Sequence, residues 1–364
     1  MDGLRWEDYI LASGTEEVSK IWSAALELER QVTFVLGAGF DPRALIALKL
    51  LLAQVGNQVV RVVRLGLPSA EDDDLTRELT QTNDRCLKAL VASGVVEVAP
   101  ISYPKGVESQ AAGLRMSRQI QSSGVIGEKD LVVVDVSGLP STVYFPVIGG
   151  LLKASDDQGL QRDIQVVVCE NPELDQVILE EGVASPGPIR GFKQGLDLDG
   201  ISGETRVWVP VLGEHQELYI RSIFGFLTPQ EVCPVLPFPA RNPRRGDDLL
   251  LELRVLIFDT IEVEPRNFIY ADERNPFDLY RGLCRLSARY TKALAPLGNV
   301  TVVTSVHGSK VMSVGALLAA YEKGLSVVSA GPTGYRIQRG VEIDKVTSKG
   351  DLICLWLEGE PYRR

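Results

Sequence analysis

A glycine-rich turn follows an apolar, β-rich run in the segment FVLGAGFDPRALIAL, residues 34–48. Gly37 and Gly39 permit a tight turn with close backbone approach, and the N–H groups at the start of a following helix form an anion site. Asp41 and Pro42 are also residues that simply begin helices. Arg43 is harder to explain structurally, because a cation at a helix start opposes the helix dipole and often serves a phosphate or carboxylate. We name residues 37–43 the first corner and predict that it binds an anion.

A similar turn occurs in the second half, in the segment TSVHGSKVMSVGALLAAYE, residues 304–322. Ser305 or Ser309 can cap the following helix, and Lys310 falls in its first turn, where the helix dipole favours an acid. His307 could act in acid–base chemistry beside Lys310, although a single histidine in a turn often has no chemical role. We name residues 305–310 the second corner and predict that it also binds an anion. The small residues of the helix, which we expect to pack closely on a sheet, are Ser313, Gly315, Ala316, Ala319 and Ala320.

Two polar residues, Asp135 and Ser137, end an apolar run in the segment VVVDVSGLPS. In open parallel sheets, ligands bind outside the carboxyl ends of the strands, near the point where the strand order reverses. Asp135 and Ser137 are therefore candidate ligand-binding residues. The alternative role of Asp135 is structural, because aspartate often binds the backbone amides of a turn.

An arginine stripe follows the segment ADERNP, in which Asn275 and Pro276 form a typical helix start. Arg281, Arg285 and Arg289 recur at a spacing of four residues and lie on one helix face. Such a stripe is usually a solvated face. It could also dock a partner protein or an anionic ligand together with three arginines that precede it in sequence, Arg241, Arg244 and Arg245.

Composition limits the classes of function. The chain has 364 residues, which suggests two domains. Its formal charge of −10 and isoelectric point near 5.0 oppose long-range attraction to nucleic acid or to an anionic membrane, so we expect neither as a bulk partner. Five cysteines without CxxC spacing indicate buried free thiols in a reducing compartment.

Several motifs are absent from the sequence. The chain has two histidines, His215 and His307, and it lacks HExxH, GxSxG and a GxxxxGK[ST] phosphate loop. We therefore expect neither a metal site nor hydrolytic catalysis. The N-terminal segment MDGLRWEDY does not resemble a signal peptide, and no apolar run approaches the ~20 residues that cross a bilayer. These features predict a cytoplasmic protein.

The hydrophobic pattern alternates β-rich runs with amphipathic stretches, which predicts an α/β fold with mainly parallel sheets. A first helix is indicated by Val18, Ile21, Trp22, Ala25 and Leu28 at helical spacing. The predicted strands are 32–36, 59–65, 95–100, 131–136, 164–169, 206–212, 231–238, 267–271, 300–306 and 325–330.

The two halves repeat the same order of elements. The strand, polar turn, helix and strand around residues 131–169 have counterparts around 300–330, and VLGAGFDPR has a counterpart in PVLGEHQEL. We infer two tandem Rossmann-like units that arose by duplication. The predicted divisions are an N-terminal helix at 1–30, a first unit at 31–182, a linker or excursion rich in Gly, Pro and Asp at 183–203, and a second unit at 204–364.

The second corner, with Thr304, Ser305, Gly308, Ser309 and Lys310, resembles the second ligand-binding signature of CARF and SAVED domains. These domains are Rossmann-like sensors of cyclic oligonucleotide messengers in prokaryotic defence. The resemblance covers residues 300–320 and the duplicated architecture. It implies a sensor or scaffold that binds an anionic nucleotide in a cleft between the units and signals to a separate partner subunit.

The first corner resembles the glycine-rich loop of class I methyltransferases, and Asp135 matches the acid near their fourth strand. This resemblance implies S-adenosylmethionine as the cofactor. The family's acid at the end of the second strand is missing here, because VVRVVRLGLPS places Arg61 and Arg64 in that run. Three hypotheses follow: a nucleotide sensor, a methyltransferase-like enzyme, and a structural subunit without a ligand.

Overall fold

The computed structural model describes residues 3–28, 30–67, 73–192, 196, 204–338, 340–347 and 350–363. Within this part the chain forms two compact units. The first unit comprises described residues of 9–182 and 332–364, and the second comprises those of 1–8 and 183–331. The fold class predicted from the sequence is confirmed, because each unit contains a mainly parallel sheet with helices between its strands.

The main sheet of the first unit contains β1 (Ile10–Ser13), β2 (Val32–Ala38), β3 (Val60–Gly66), β4 (Val96–Ile101), β5 (Leu131–Asp135), β6 (Asp163–Glu170) and β16 (Asp351–Glu358). The spatial order is β1-β16-β6-β5-β2-β3-β4, and β16 is antiparallel to both of its neighbours. The strand order reverses between β2 and β5, which pair in parallel. A small antiparallel ribbon joins β7 (Ile178–Glu181) to β15 (Gly334–Ile337).

The helices of the first unit are α1 (Thr15–Leu26), α2 (Ile46–Leu52), α3 (Asp74–Ala92), α4 (Ser109–Ser123), α5 (Ser141–Gln158), α6 (Pro172–Val177) and α11 (Ile343–Thr347), with a 3-10 turn at Glu360–Tyr362. Strands β2, β5 and β6 are buried along their length, as their near-continuous valine runs predict. Trp22 of α1 and Leu48 of α2 pack in the same core as Phe34 and Val133 of the sheet. The first helix is therefore confirmed.

The second unit contains β8 (Gly187–Pro188), β9 (Thr205–Val211), β10 (Glu231–Val232), β11 (Val235–Pro237), β12 (Ile269–Ala271), β13 (Val300–Val306) and β14 (Ser326–Ser329). Its helices are α7 (Glu217–Leu227), α8 (Arg245–Glu252), α9 (Pro276–Leu294) and α10 (Lys310–Lys323), with a π-helix at Val255–Thr260 and 3-10 turns at Pro265–Asn267 and Ala295–Leu297. The spatial order is β12-β11-β9-β13-β14-β8, and β10 also pairs with β9. The order reverses between β9 and β13.

The two sheets share one topology. We number five parallel strands of each sheet in chain order: β2, β3, β4, β5 and β6 in the first unit, and β9, β11, β12, β13 and β14 in the second. In both sheets, the first of these lies between the second and the fourth, the fifth lies beside the fourth, and an antiparallel strand pairs with the fifth. The elements that the sequence pairs as repeats occupy equivalent places: β2 and β9 are first strands, and β5 and β13 are fourth strands. This common order is what a duplicated module requires.

The division of the chain differs from the one drawn from the sequence. Residues 332–364 belong to the first unit, because β16 pairs with β6 and β15 pairs with β7. Residues 3–8 belong to the second unit, where Trp6 is fully buried against Tyr280 with ring centroids 5.5 Å apart. The segment 183–192 contributes β8 to the second sheet, and residues 193–195 and 197–203 of the expected linker lie outside the described part.

The small residues of α10 serve helix packing as well as sheet packing. A Cβ added at Gly315 would lie 2.2 Å from the backbone oxygen of Pro276, at the start of α9. The corresponding helix pair of the first unit also meets at a glycine, but on the other helix of the pair: a Cβ at Gly113 of α4 would lie 2.1 Å from the backbone oxygen of Thr142 in α5. In each unit, a glycine therefore lets the helix before the fourth strand approach the helix after it.

Replacing Gly315 by alanine tests this packing. We expect Gly315→Ala to lower the free energy of unfolding by about 1–3 kcal/mol, the usual cost of overpacking. Gly282→Ala on α9 is the matched control, because no neighbouring atom lies within 4 Å of its added Cβ. Since alanine exceeds glycine in helix propensity, the control should be neutral or more stable by up to about 1 kcal/mol. Urea unfolding measures both, and equal effects would show that α9 and α10 do not pack this closely.

Candidate functional site

The first corner follows β2, at the point where the strand order reverses. Gly37 allows two turns to meet there, since an added Cβ would lie 2.8 Å from Leu139 Cδ2 and 3.1 Å from the backbone oxygen of Gly138. At Gly39, an added Cβ would lie 3.2 Å from Leu67 Cδ1. The Asn83 side chain donates hydrogen bonds of 2.9 Å to the backbone oxygens of Gly39 and Asp41. These contacts indicate that Gly37 and Gly39 allow the turn to pack closely against its neighbours.

Arg43 does not lie at the helix start, because α2 begins at Ile46. The Arg43 side chain is 3% exposed, and its guanidinium donates to both oxygens of Asp41, at 3.0 and 2.8 Å, and to Asp175 Oδ1 at 2.8 Å. Burial opposes the charge of Arg43, but the two carboxylates outweigh it and raise the pKa of the guanidinium above its ordinary value. Asp41 also accepts a hydrogen bond from the Arg43 backbone N–H at 2.9 Å. The predicted anion ligand is thus engaged by the protein's own acids.

Asp135 and Ser137 are buried at the neighbouring strand end. Asp135 Oδ1 accepts the backbone N–H of Ser137 at 2.8 Å, which is the structural alternative weighed for it. Ser137 Oγ accepts the backbone N–H of Cys169 at 2.8 Å and so ties the turn after β5 to β6. Gly37 and Asp41 of the first corner lie close to Gly138, which directly follows Ser137, so the structure brings the first corner next to Asp135 and Ser137.

Sequence reasoning missed Asp175, which completes the bonding of Arg43 from a position 132 residues away. A local signal for its helix exists, since Asn171 followed by Pro172 is a typical helix start. Asn171 caps α6 by accepting the N–H of Leu174 at 3.0 Å, and this short helix positions Asp175. The partnership with Arg43 has no local signal.

The second corner follows β13, where the strand order of the second unit reverses. Ser305 is fully buried; its Oγ accepts the indole N–H of Trp208 at 3.0 Å and lies 2.9 Å from His307 Nε2. Burial lowers the pKa of His307 to about 3, so the imidazole is neutral at physiological pH. Sequence reasoning missed Trp208, which lies on the neighbouring strand β9.

The start of α10 completes the second corner. Of the two candidate caps, Ser309 is the N-cap, and its Oγ accepts the N–H of Met312 at 3.2 Å. Lys310 is the first residue of this helix and is partly buried. The turn is closely packed, because a Cβ added at Gly213 would lie 1.7 Å from the backbone oxygen of His307. The structure thus gathers all the predicted residues of this corner at one strand end.

The arginine stripe lies on α9, whose opposite face buries Leu279, Leu283 and Leu286. Asn275 caps this helix as predicted, accepting the N–H of Phe277 at 3.1 Å. The side chains of the stripe differ in environment: Arg281 is partly buried, Arg285 is exposed, and exposed Arg289 lies over the ring of Tyr290 at 5.6 Å. Of the earlier arginines, Arg245 pairs with Glu273. Partner binding by the stripe stays a prediction.

The described residues include free cysteines and scattered histidine and acidic side chains. Among them, no group of three or more His, Cys, Asp and Glu side chains is arranged to hold a metal ion. All five cysteines are free; four are buried, as predicted, but Cys86 is only partly buried. Burial raises the pKa of Cys169, Cys284 and Cys354 to about 12, which keeps these thiols protonated. No helix in the described ranges is long and apolar enough to cross a membrane.

No family model and no curated protein matches the chain. Among solved structures, the cytoplasmic domain of a prokaryotic cation chloride cotransporter is 10% identical with a TM-score of 0.25, over 83% of this chain and 96% of that one. A universal stress protein from Archaeoglobus fulgidus DSM 4304 is 11% identical with a TM-score of 0.22, over 82% and 96% of the two chains. Likenesses this remote carry no functional argument, so the fold assignment rests on the strand order.

The arrangement around Arg43 predicts a structural role. Replacing Arg43 by methionine leaves Asp41 buried without its cation, and we expect a loss of about 3–5 kcal/mol in the free energy of unfolding. Arg244→Met is the control, because the Arg244 side chain is 81% exposed and its pairing with Asp248 is worth at most about 1 kcal/mol. Chemical denaturation compares the two variants. An Arg43→Met protein as stable as the control would contradict this role.

Proposed function

We propose that this protein is a nucleotide-binding sensor or scaffold whose ligand site is the second corner. The observation that carries the proposal is the gathering of Ser305, His307, Ser309 and Lys310 at the carboxyl end of β13. That strand end adjoins the reversal of strand order between β9 and β13. Ligands of open α/β sheets bind at such reversals.

The chemistry of the second corner favours an anionic ligand. The first N–H groups of a helix point toward its N-terminus, and α10 adds a lysine there. Lys310 contributes positive charge locally, so the net charge of −10 does not oppose a ligand at this position. A phosphate-bearing nucleotide suits this combination of hydrogen-bond donors and charge.

The first corner is a weaker candidate for the same ligand. Its cation, Arg43, is bonded to Asp41 and Asp175, and an anion would have to displace a carboxylate from it. Gly37 is packed against the turn that contains Leu139. We therefore place nucleotide binding on the second corner alone, rather than on both corners as the repeat suggests.

We base the proposed ligand class on the resemblance to CARF and SAVED domains. It points to cyclic oligonucleotides and to a role in prokaryotic defence, with the signal passed to a separate partner subunit. The exposed arginines on α9, Arg285 and Arg289, are the surface we propose for that partner. Neither residue belongs to the second corner, so ligand and partner binding can be tested separately.

A methyltransferase-like enzyme is the second candidate. The observation in its favour is that the Gly37–Gly39 turn and Asp135 lie at the strand reversal of the first unit, where a cofactor would bind. Against it, the arginines that stand in place of the family's acid are already engaged: Arg61 donates to the backbone oxygen of Val125 at 2.9 Å, and Arg64 pairs with Asp84.

A thermal-shift series with cyclic oligoadenylates, ATP and S-adenosylmethionine separates these candidates. A ligand present at ~100 times its dissociation constant stabilises the fold by about 2.7 kcal/mol, which gives a clear rise in Tm. We expect a cyclic oligoadenylate to raise the Tm, Lys310→Ala to remove the rise, and the control Lys292→Ala, an exposed position on α9, to retain it.

Other outcomes favour other functions. A Tm rise with S-adenosylmethionine alone would favour the enzyme, and no rise with any compound would favour a structural subunit. A nucleotide response that is unchanged in Lys310→Ala would remove the ligand site from the second corner.

A further inference from the structure

A chain of hydrogen bonds connects the sheet of the second unit to His307. Trp208 Nε1 lies 3.0 Å from Ser305 Oγ, and Ser305 Oγ lies 2.9 Å from His307 Nε2. Trp208 and Ser305 are both fully buried, so no solvent molecule competes for these groups. We call this series of two hydrogen bonds, from Trp208 through Ser305 to His307, the relay. The protons on the three side chains determine which atom donates in each bond.

The indole N–H of Trp208 can only donate, so Ser305 Oγ is the acceptor of the first bond. The serine hydroxyl keeps one proton of its own, and His307 Nε2 is its one side-chain acceptor among the described residues. If Nε2 carried a proton instead, the buried hydroxyl proton would have no acceptor there, which is unfavourable. The relay therefore runs from Trp208 to Ser305 to His307, and the imidazole carries its proton on Nδ1.

His307 Nδ1 has no hydrogen-bond partner among the described residues, and the side chain is only partly buried. Nε2 of the ring thus accepts a hydrogen bond from Ser305, whereas its Nδ1–H is a donor that no described protein group accepts. Because burial lowers the pKa of His307 to about 3, the donor stays uncharged over the physiological range.

The equivalent residues of the first unit have no such donor. We take Asp135 and Ser137, at the end of β5, as the counterparts of Ser305 and His307, at the end of β13. With that alignment, the registers of the two strand pairs make Phe34 the counterpart of Trp208. The Phe34 side chain has no N–H, and Ser137 Oγ accepts the backbone N–H of Cys169. The relay is specific to the unit in which we place the ligand, so it is not a requirement of the shared fold.

We propose that His307 is a specificity-determining residue of the second corner, held by Trp208 and Ser305 as a neutral Nδ1–H donor that bonds an acceptor atom of the nucleotide. This inference rests on the proposed function of that corner. Lys310 and the helix start supply electrostatic attraction, whereas His307 adds a directed bond without adding charge.

Nitrogen-15 spectra of the histidine side chains test the relay without any ligand. The chain has two histidines, and a His215→Gln variant assigns their signals. We expect His307 to show a protonated Nδ1 and an unprotonated Nε2, unchanged from pH 7.5 down to about pH 4.5. In Ser305→Ala we expect signals of both tautomers. A wild-type His307 that protonates near its ordinary pKa of about 6.5, or that carries its proton on Nε2, overturns the inference.

A pair of nearly isosteric variants tests recognition of the ligand. Asparagine at position 307 presents an amide N–H near the place of Nδ1, and leucine has the same shape without a donor. With the cyclic oligoadenylate that gives the largest thermal shift, we expect His307→Asn to bind within about threefold of the wild type. We expect His307→Leu to bind at least about tenfold more weakly, by calorimetric titration.

The results distinguish the two proposals. Equal affinities of the Asn and Leu variants overturn the role of His307 but leave the nucleotide site intact. No binding of any nucleotide to the wild-type protein overturns the proposed function, and with it the role of His307, whatever tautomer the spectra show.

Discussion

The parallel pairing of a first strand with a fourth strand is the constraint on which each unit depends. In the second unit, β13 pairs with β9 from Val300 to Val306, opposite Thr205 to Val211. The next strand, β11, lies on the opposite side of β9 from β13. The chain segments that follow β9 and β13 therefore start from adjacent strand ends and lead in opposite directions. Gly213 permits this closeness, since any side chain there would collide with the His307 backbone.

The two units use this common arrangement differently. In the first, the residues around the strand reversal bond to one another: Arg43 to Asp41 and Asp175, and Ser137 to Cys169. Their charges and hydrogen bonds hold the turns together. In the second, Trp208 and Ser305 orient His307, whose other nitrogen has no partner in the described part of the chain. Under the proposed function, the second corner serves ligand binding, whereas the equivalent corner of the first unit serves stability.

Much of the fold could be predicted because its signals are local. The runs chosen as strands in both halves are strands, and Asn275 and Ser309 cap the helices that their neighbours indicate. The return of residues 332–364 to the first unit was missed because antiparallel pairing of β16 with β6 leaves no periodic mark that specifies its partner.

The candidate sites show the same contrast between local signals, which the sequence contains, and long-range contacts, which it does not reveal. The residue types at both corners were apparent from sequence, but their roles depend on distant partners. Arg43 was predicted to bind an anion, but Asp175, distant in sequence, accepts a hydrogen bond from it. His307 was a predicted ligand-binding residue, but its orientation depends on Ser305 and on Trp208, which lies 97 positions before Ser305. Contacts at such separation have no periodic signature, so spacing alone could not reveal which corner retains an unused donor.

Hydrogen–deuterium exchange with bound nucleotide tests most directly where the ligand binds. With a cyclic oligoadenylate at saturation, slower exchange should be concentrated in peptides that span residues 305–312, at the start of α10, with little change at residues 37–43. Protection centred on residues 37–43, or none at the start of α10 despite measurable binding, would show that the second corner is not the nucleotide site.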